Sequence, residues 1–156
     1  MERIGGKENG RPNEAFGGQF DRRYLNAVGD HRRASGLYGG MKHFKLQEFD
    51  CKCGCGSNNM QLYFLDMLER ARTAANTPFV ITSGFRCPAH NRKEGGKRNS
   101  DHLTGEGADI EIPNSRSRFI IVDSLILVGF KRIGIAKTFI HAGSRFDNPQ
   151  KVIWLY

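Results

Sequence analysis

Ser100-Asp101-His102-Leu103-Thr104-Gly105-Glu106-Gly107-Ala108-Asp109 places an imidazole and a carboxylate seven residues apart, with two glycines between them. Side chains that share a helix face stand three or four residues apart, so this spacing does not read as a helical pair. Gly105 and Gly107 suit a loop that bends back onto Ala108-Asp109-Ile110-Glu111-Ile112, whose alternation reads as a strand. In that strand Ile110 and Ile112 point one way and Asp109 the other. His102 on the loop and Asp109 on the polar face then approach each other. An imidazole nitrogen and a carboxylate oxygen suit a divalent zinc ion. Two ligands make a poor site, so a third must come from elsewhere. The candidate is His141, in Thr138-Phe139-Ile140-His141-Ala142-Gly143, which also reads as a strand. Two histidines and one carboxylate leave a fourth position for water, as catalytic zinc sites do. The competing reading is a glycine-turned loop beside a surface carboxylate.

Three further stretches stand in order: Phe49-Asp50-Cys51-Lys52-Cys53-Gly54-Cys55-Gly56, then Ser83-Gly84-Phe85-Arg86-Cys87-Pro88-Ala89-His90-Asn91, then Gly95-Gly96. With the Ser-x-His-x-x-Gly-x-Gly-x-Asp motif and the later histidine, they resemble the M15 zinc peptidases. These are the D-alanyl-D-alanine carboxypeptidases and the phage cell-wall endopeptidases. The likeness runs from about Met41 to the C-terminus.

The resemblance implies an α+β fold, with a small mixed or antiparallel sheet, two main helices, and a zinc site at strand ends and loops, as in the M15 and hedgehog-like proteins. It implies one catalytic zinc on His102, Asp109 and His141. It places Arg86 and Ser100 on substrate, a peptidoglycan stem peptide. For Arg86 the alternative is an ion pair with Asp109 or Glu111. His90 is expected to order its loop by hydrogen bonding. The chain also departs from the family. Many relatives carry an acid three residues before the last ligand, or a histidine two before it, where this chain has Thr138 and Phe139. Phage-type relatives often carry an aspartate two residues after it, where this chain has Gly143. Gly107 stands where alanine is usual. Asp147 and Asp101 are the candidates left for a general base.

At 156 residues the chain has room for one domain and a tail, and 38% hydrophobic residues can build a modest core. The formal net charge of +8 favours polyanionic surroundings, an anionic cell wall or nucleic acid. No lysine-arginine run or RNA-binding motif is present, so nucleic acid is the lesser reading. No apolar stretch is long enough to span a membrane, and the N-terminus lacks the apolar core of a secretory signal. The expectation is a monomer made in the cytoplasm that reaches the wall after release or as a virion component.

Cys51, Cys53 and Cys55 are crowded, and Cys87 stands apart. If the first three lie on a strand, their side chains share one side and bridge each other poorly. With His90 the four cysteines can form a second, structural metal site. The preferred reading is a glycine-rich turn with reduced thiols, because no second pair has standard finger spacing.

Residues 1–40 are glycine-rich and lack apolar periodicity, so they read as a disordered extension, a non-native start before Met41, or a short targeting or assembly arm, with a possible short helix around Asp21–Val28. Residues 41–156 form the peptidase-like domain. Phe44, Leu46 and Phe49 are expected core anchors. Ser57-Asn58-Asn59 caps a helix from about Met60, with Leu62, Leu65, Leu68 and Arg72 on one stripe, ended by Asn76-Thr77-Pro78. Phe79 to Ser83 reads as a central strand. Arg92 to Asn99 is a basic loop over the site entrance. Pro113-Asn114-Ser115 caps a second helix with Phe119, Val122 and Ile126, and Ile120 and Leu125 nearby, on a wide apolar face, closed by Gly129. Lys131 to Ala136 and Thr138 to His141 pair as strands. A closing strand follows, with Trp154 packed on the core.

Overall fold

A computed structural model of the chain describes residues 41–156. The expectations for residues 1–40 lie outside the described residues. Within 41–156 the fold is α+β. The strands are β1 (Ile81–Ser83), β2 (Gly107–Glu111), β3 (Arg132–Ile135), β4 (Phe139–Gly143) and β5 (Val152–Leu155), in one sheet of order β1-β2-β4-β3-β5. The helices are α1 (Leu62–Ala75), α2 (Pro88–Lys93) and α3 (Ser115–Leu127), and Leu46–Phe49 and Asp101–Leu103 form 3-10 turns. β3 and β5 run parallel, while the other neighbours pair antiparallel.

Strand alternation divides the sheet into two faces. Ala108, Ile110, Ile133, Ile140 and Ala142 are buried on one face, in a single cluster with Phe64, Leu65 and Leu68 of α1 and Ile121 and Leu125 of α3. α1 and α3 also pack on each other. On the opposite face, Ser83, Asp109, His141, Gly134 and Trp154 stand in register across all five strands. One row of the sheet thus carries the polar chemistry, and its neighbours carry the core.

The helix ends follow local chemistry. Asn76 adopts φ 45° and ends α1 in the left-handed region, which asparagine tolerates. Asn114 Oδ1 accepts from Ser117 N at 2.9 Å and caps α3, and Gly129 at φ 100° closes it.

The structure corrects several expectations. β1 is an edge strand, paired among the described residues only with β2, and before it Phe79 enters the core while Val80 is 52% exposed. α1 begins at Leu62 with no side-chain cap: its N-cap position is Gln61, and Asn58 Oδ1 accepts from Met60 N at 3.3 Å, ahead of the helix. Phe44 and Phe49 are buried, but Leu46 is exposed. α3 buries Ile121, Ser124 and Leu125 and exposes Phe119 and Ile126. Its sequence is apolar on all sides, so periodicity did not single out the inward face. Trp154 lies on the polar face of the sheet, 5.6 Å from the ring of His141. Cys51 to Cys55, by contrast, form the expected glycine-rich turn, with Gly54 at φ 81°.

Candidate metal centre

β2 and β4 pair Asp109 directly with His141, and the Asp101–Leu103 turn sets His102 above them. All three are buried. His141 Nδ1 lies 2.8 Å and His102 Nε2 lies 3.2 Å from Asp109 Oδ1. Metal bonds of about 2.0–2.2 Å in a tetrahedron put neighbouring donors about 3.3 Å apart, so the three atoms stand at ligand spacing. They can hold a divalent cation.

The atoms facing away from that point are all engaged. His102 Nδ1 is 2.6 Å from Gly84 O, so Nδ1 carries the proton, donates it to the carbonyl and leaves the Nε2 lone pair free. His141 Nε2 is 3.2 Å from Asp101 Oδ2 and its Nδ1 is 2.8 Å from Asp109 Oδ1; a proton held on Nε2 by Asp101 would leave the Nδ1 lone pair for a metal ion beside Asp109. Asp109 Oδ2 accepts from Arg86 Nη2 at 2.8 Å. This outer arrangement fixes imidazole tautomers and ring orientations, as metal-binding histidines require. Donor chemistry, spacing and outer bonds therefore all fit zinc.

These buried groups set one another's charge. Burial keeps His102 below its usual range, so it is neutral at neutral pH. Burial also opposes charge on Asp109, but the imidazoles of His102 and His141 beside it outweigh burial and hold this carboxyl far below the usual range. For His141 burial is outweighed by Asp101 and Asp109, which raise it. Burial of Asp101 is outweighed by His141, Asn148 and Arg132, which lower it.

Glycines make room for this network. A Cβ on Gly143 would collide with Asp101 Oδ2, and one on Gly107 would lie 2.8 Å from Asp101 Cβ. On Gly134 it would lie 2.7 Å from the Trp154 ring. Gly143 has no side chain, and the carboxylate of Asp101 lies in the space beside it.

The triad opens into a cleft of about 1170 Å³. Lys52, Arg86, Lys97 and Arg132 line it with Glu94, Asp101 and Asp109, and Trp154, Leu155 and Tyr156 form an apolar wall. Ser100 also lines the cleft, and its Oγ accepts from His102 N at 3.3 Å, which secures the turn bearing that histidine. Arg86 makes the ion pair with Asp109 that stood as the alternative reading, and it also lines the cleft. The loop after α2 borders the cleft through Glu94, Gly95, Gly96 and Lys97.

Not every proposed residue joins. Asp147 is bound by Arg145 at 2.5 and 2.8 Å, with its side chain half exposed. Asp101 reaches the centre, but it is held by His141, Arg132 Nε at 3.1 Å and Asn148 Nδ2 at 2.7 Å. His90 sits 3.3 Å from Cys51 Sγ, outside the triad. Sequence reasoning missed Arg132, Asn148 and the aromatic wall, which depend on strand register and loop return. It also missed Glu106, a buried carboxylate bound by Tyr63 Oη.

A family model described as Peptidase M15 matches residues 42–142, more than half of the chain. Among curated proteins none matches the chain.

Proposed function

The chain belongs to the M15 peptidase family, and from that premise we propose that it hydrolyses peptide bonds in bacterial peptidoglycan. The reaction is that of a D-alanyl-D-alanine carboxypeptidase or a cell-wall endopeptidase, in phage-associated lysis. In this reading His102, Asp109 and His141 hold one zinc ion. The observation that carries it is the convergence of their three donor atoms at the cleft, each backed by an engaged outer atom. Bound zinc supplies a Lewis acid that polarises a carbonyl and acidifies water.

The protein's own groups bind and orient. Arg86 Nε and Nη2 are occupied by Ser83 and Asp109, which leaves Nη1 to meet a substrate carbonyl or carboxylate. Ser100 keeps a hydroxyl at the rim. Trp154 and Tyr156 offer flat surfaces to the aliphatic parts of a stem peptide. The cationic lining suits the carboxylates of that peptide, and the net charge of +8 suits an anionic wall. The protein acts as a monomer that reaches the wall after release from the cytoplasm or as a virion component.

One observation favours a second reading, a zinc-containing wall-binding domain without turnover. Asp101 is the carboxylate nearest the triad, and its three partners keep it ionised and weakly basic. Zinc content measured beside amine release from purified peptidoglycan separates the two readings. Release lost in His102→Ala supports hydrolysis. Zinc and wall binding without release supports the binding domain.

A further inference from the structure

We propose that Cys51, Cys53, Cys55 and Cys87 form a second metal site, structural and thiolate-only, for zinc or another thiophilic divalent cation. The four sulfurs offer donor atoms that lie within 4.8 Å of one another. Cys51 Sγ is 3.4 Å from Cys53 Sγ, and Cys53 Sγ is 3.7 Å from Cys87 Sγ. Zinc–sulfur bonds of about 2.3 Å in a tetrahedron separate the sulfurs by about 3.8 Å, so these contacts are at coordination distance. They are far beyond a disulfide bond of about 2.05 Å.

Local structure builds the cluster. The turn over Lys52 to Cys55 is closed by Gly54 N on Cys51 O, and Gly54 and Gly56 both take positive φ. A strand would have carried the three sulfurs away from one another along its length, whereas the turn wraps them around one point. Cys87 arrives from the loop after β1. Its backbone N–H donates to Cys51 Sγ, and His90 N–H donates to Cys87 Sγ, both at 3.4 Å. Amide donors aimed at sulfur stabilise thiolate charge. Hydrophobic packing does not explain the grouping, since Cys53 and Cys55 are exposed.

The site would tie two segments that flank the cleft. One side is the turn bearing Lys52; the other is the loop bearing Arg86, where Phe85 N already donates to Phe49 O at 2.9 Å. The metal would thereby fix the loop from which Arg86 reaches Asp109. Binding releases thiol protons and supplies no reacting group.

The site stands apart from the peptidase reading, and the test keeps them distinct. The full-length chain is purified under reducing conditions and its zinc is counted by emission spectrometry, in wild type, His102→Ala, and the double variant Cys53→Ser/Cys55→Ser. The expected counts are two, one and one. Cobalt substitution of wild type and His102→Ala should give the near-ultraviolet sulfur-to-cobalt charge-transfer band of tetrahedral thiolate coordination, absent from the double variant. A single zinc that disappears in His102→Ala would overturn the proposal. So would four freely titrating thiols in the native, zinc-loaded protein, or a disulfide found by mass. If the double variant fails to fold, the cobalt spectrum and thiol titration of wild type and His102→Ala still decide.

Discussion

Asp101 and Gly143 act as a pair. Asp101 Oδ2 fills the space beside Gly143, faces His141 Nε2 and is held by Arg132. Introducing an aspartate at 143 by substitution alone forces two carboxylates into one buried space. Gly143→Asp should therefore lower stability by about 2 kcal/mol or more, in the range of overpacking costs. Asp101→Ser combined with Gly143→Asp should recover most of that loss. Urea unfolding of wild type, the two single variants and the double variant checks it, and additive effects in the cycle would sink the idea. Asp109 makes a second prediction at this scale. Its folded pKa lies below that of the unfolded chain, so its contribution is present above the unfolded carboxylate pKa and is lost as pH falls through and below it. Unfolding of the metal-free protein should show stability falling below about pH 4. The fall should be smaller in Asp109→Asn, and an identical fall in both would refute the assignment.

At the scale of elements, α3 shows how an apolar sequence can leave its inward face undecided. Phe119, Ile120, Ile121, Val122, Leu125, Ile126 and Leu127 cover the helix on all sides, yet only Ile121 and Leu125 of these are fully buried. Contact with α1 made the choice. Ile121→Ala should cost about 2–5 kcal/mol, the usual range for truncating a buried aliphatic side chain. Phe119→Ser, at a residue 72% exposed, should stay within about 0.5 kcal/mol. Denaturant midpoints of the two variants test the face assignment, which equal losses would contradict. β5 shows the converse. Trp154 looked like a core residue by type, but its place in the row with Gly134 and His141 puts it on the cleft side.

At the scale of the molecule, one sheet separates two environments. α1 and α3 seal one face, and the other carries the triad, the arginines and the aromatic wall. The excess of positive charge belongs to this scale, because it acts through the field of the whole surface. Association with purified anionic wall should weaken steeply as salt rises from low to physiological strength and beyond, as the Debye length contracts from about 30 to 8 Å. Co-sedimentation across a salt series measures it, and salt-independent retention would locate recognition in the cleft alone.

The α+β class came with the family resemblance that the motifs carry; the sequence by itself determined both main helices, with Asn76 ending α1 and Asn114 and Gly129 bounding α3, the strand pair around His141, and the grouping of His102, Asp109 and His141 as candidate ligands. Those features rest on local rules: capping chemistry, strand alternation and ligand type along a short stretch. Only the tertiary structure decided that β1 is an edge, which face of α3 is buried, and that Trp154 faces the cleft. It alone placed Asp101 in the space beside Gly143 and gathered four cysteines around one point. Each of these depends on register or on a loop's return across a long stretch of chain. Such contacts are set by how elements pack, and neighbouring residues carry little trace of them.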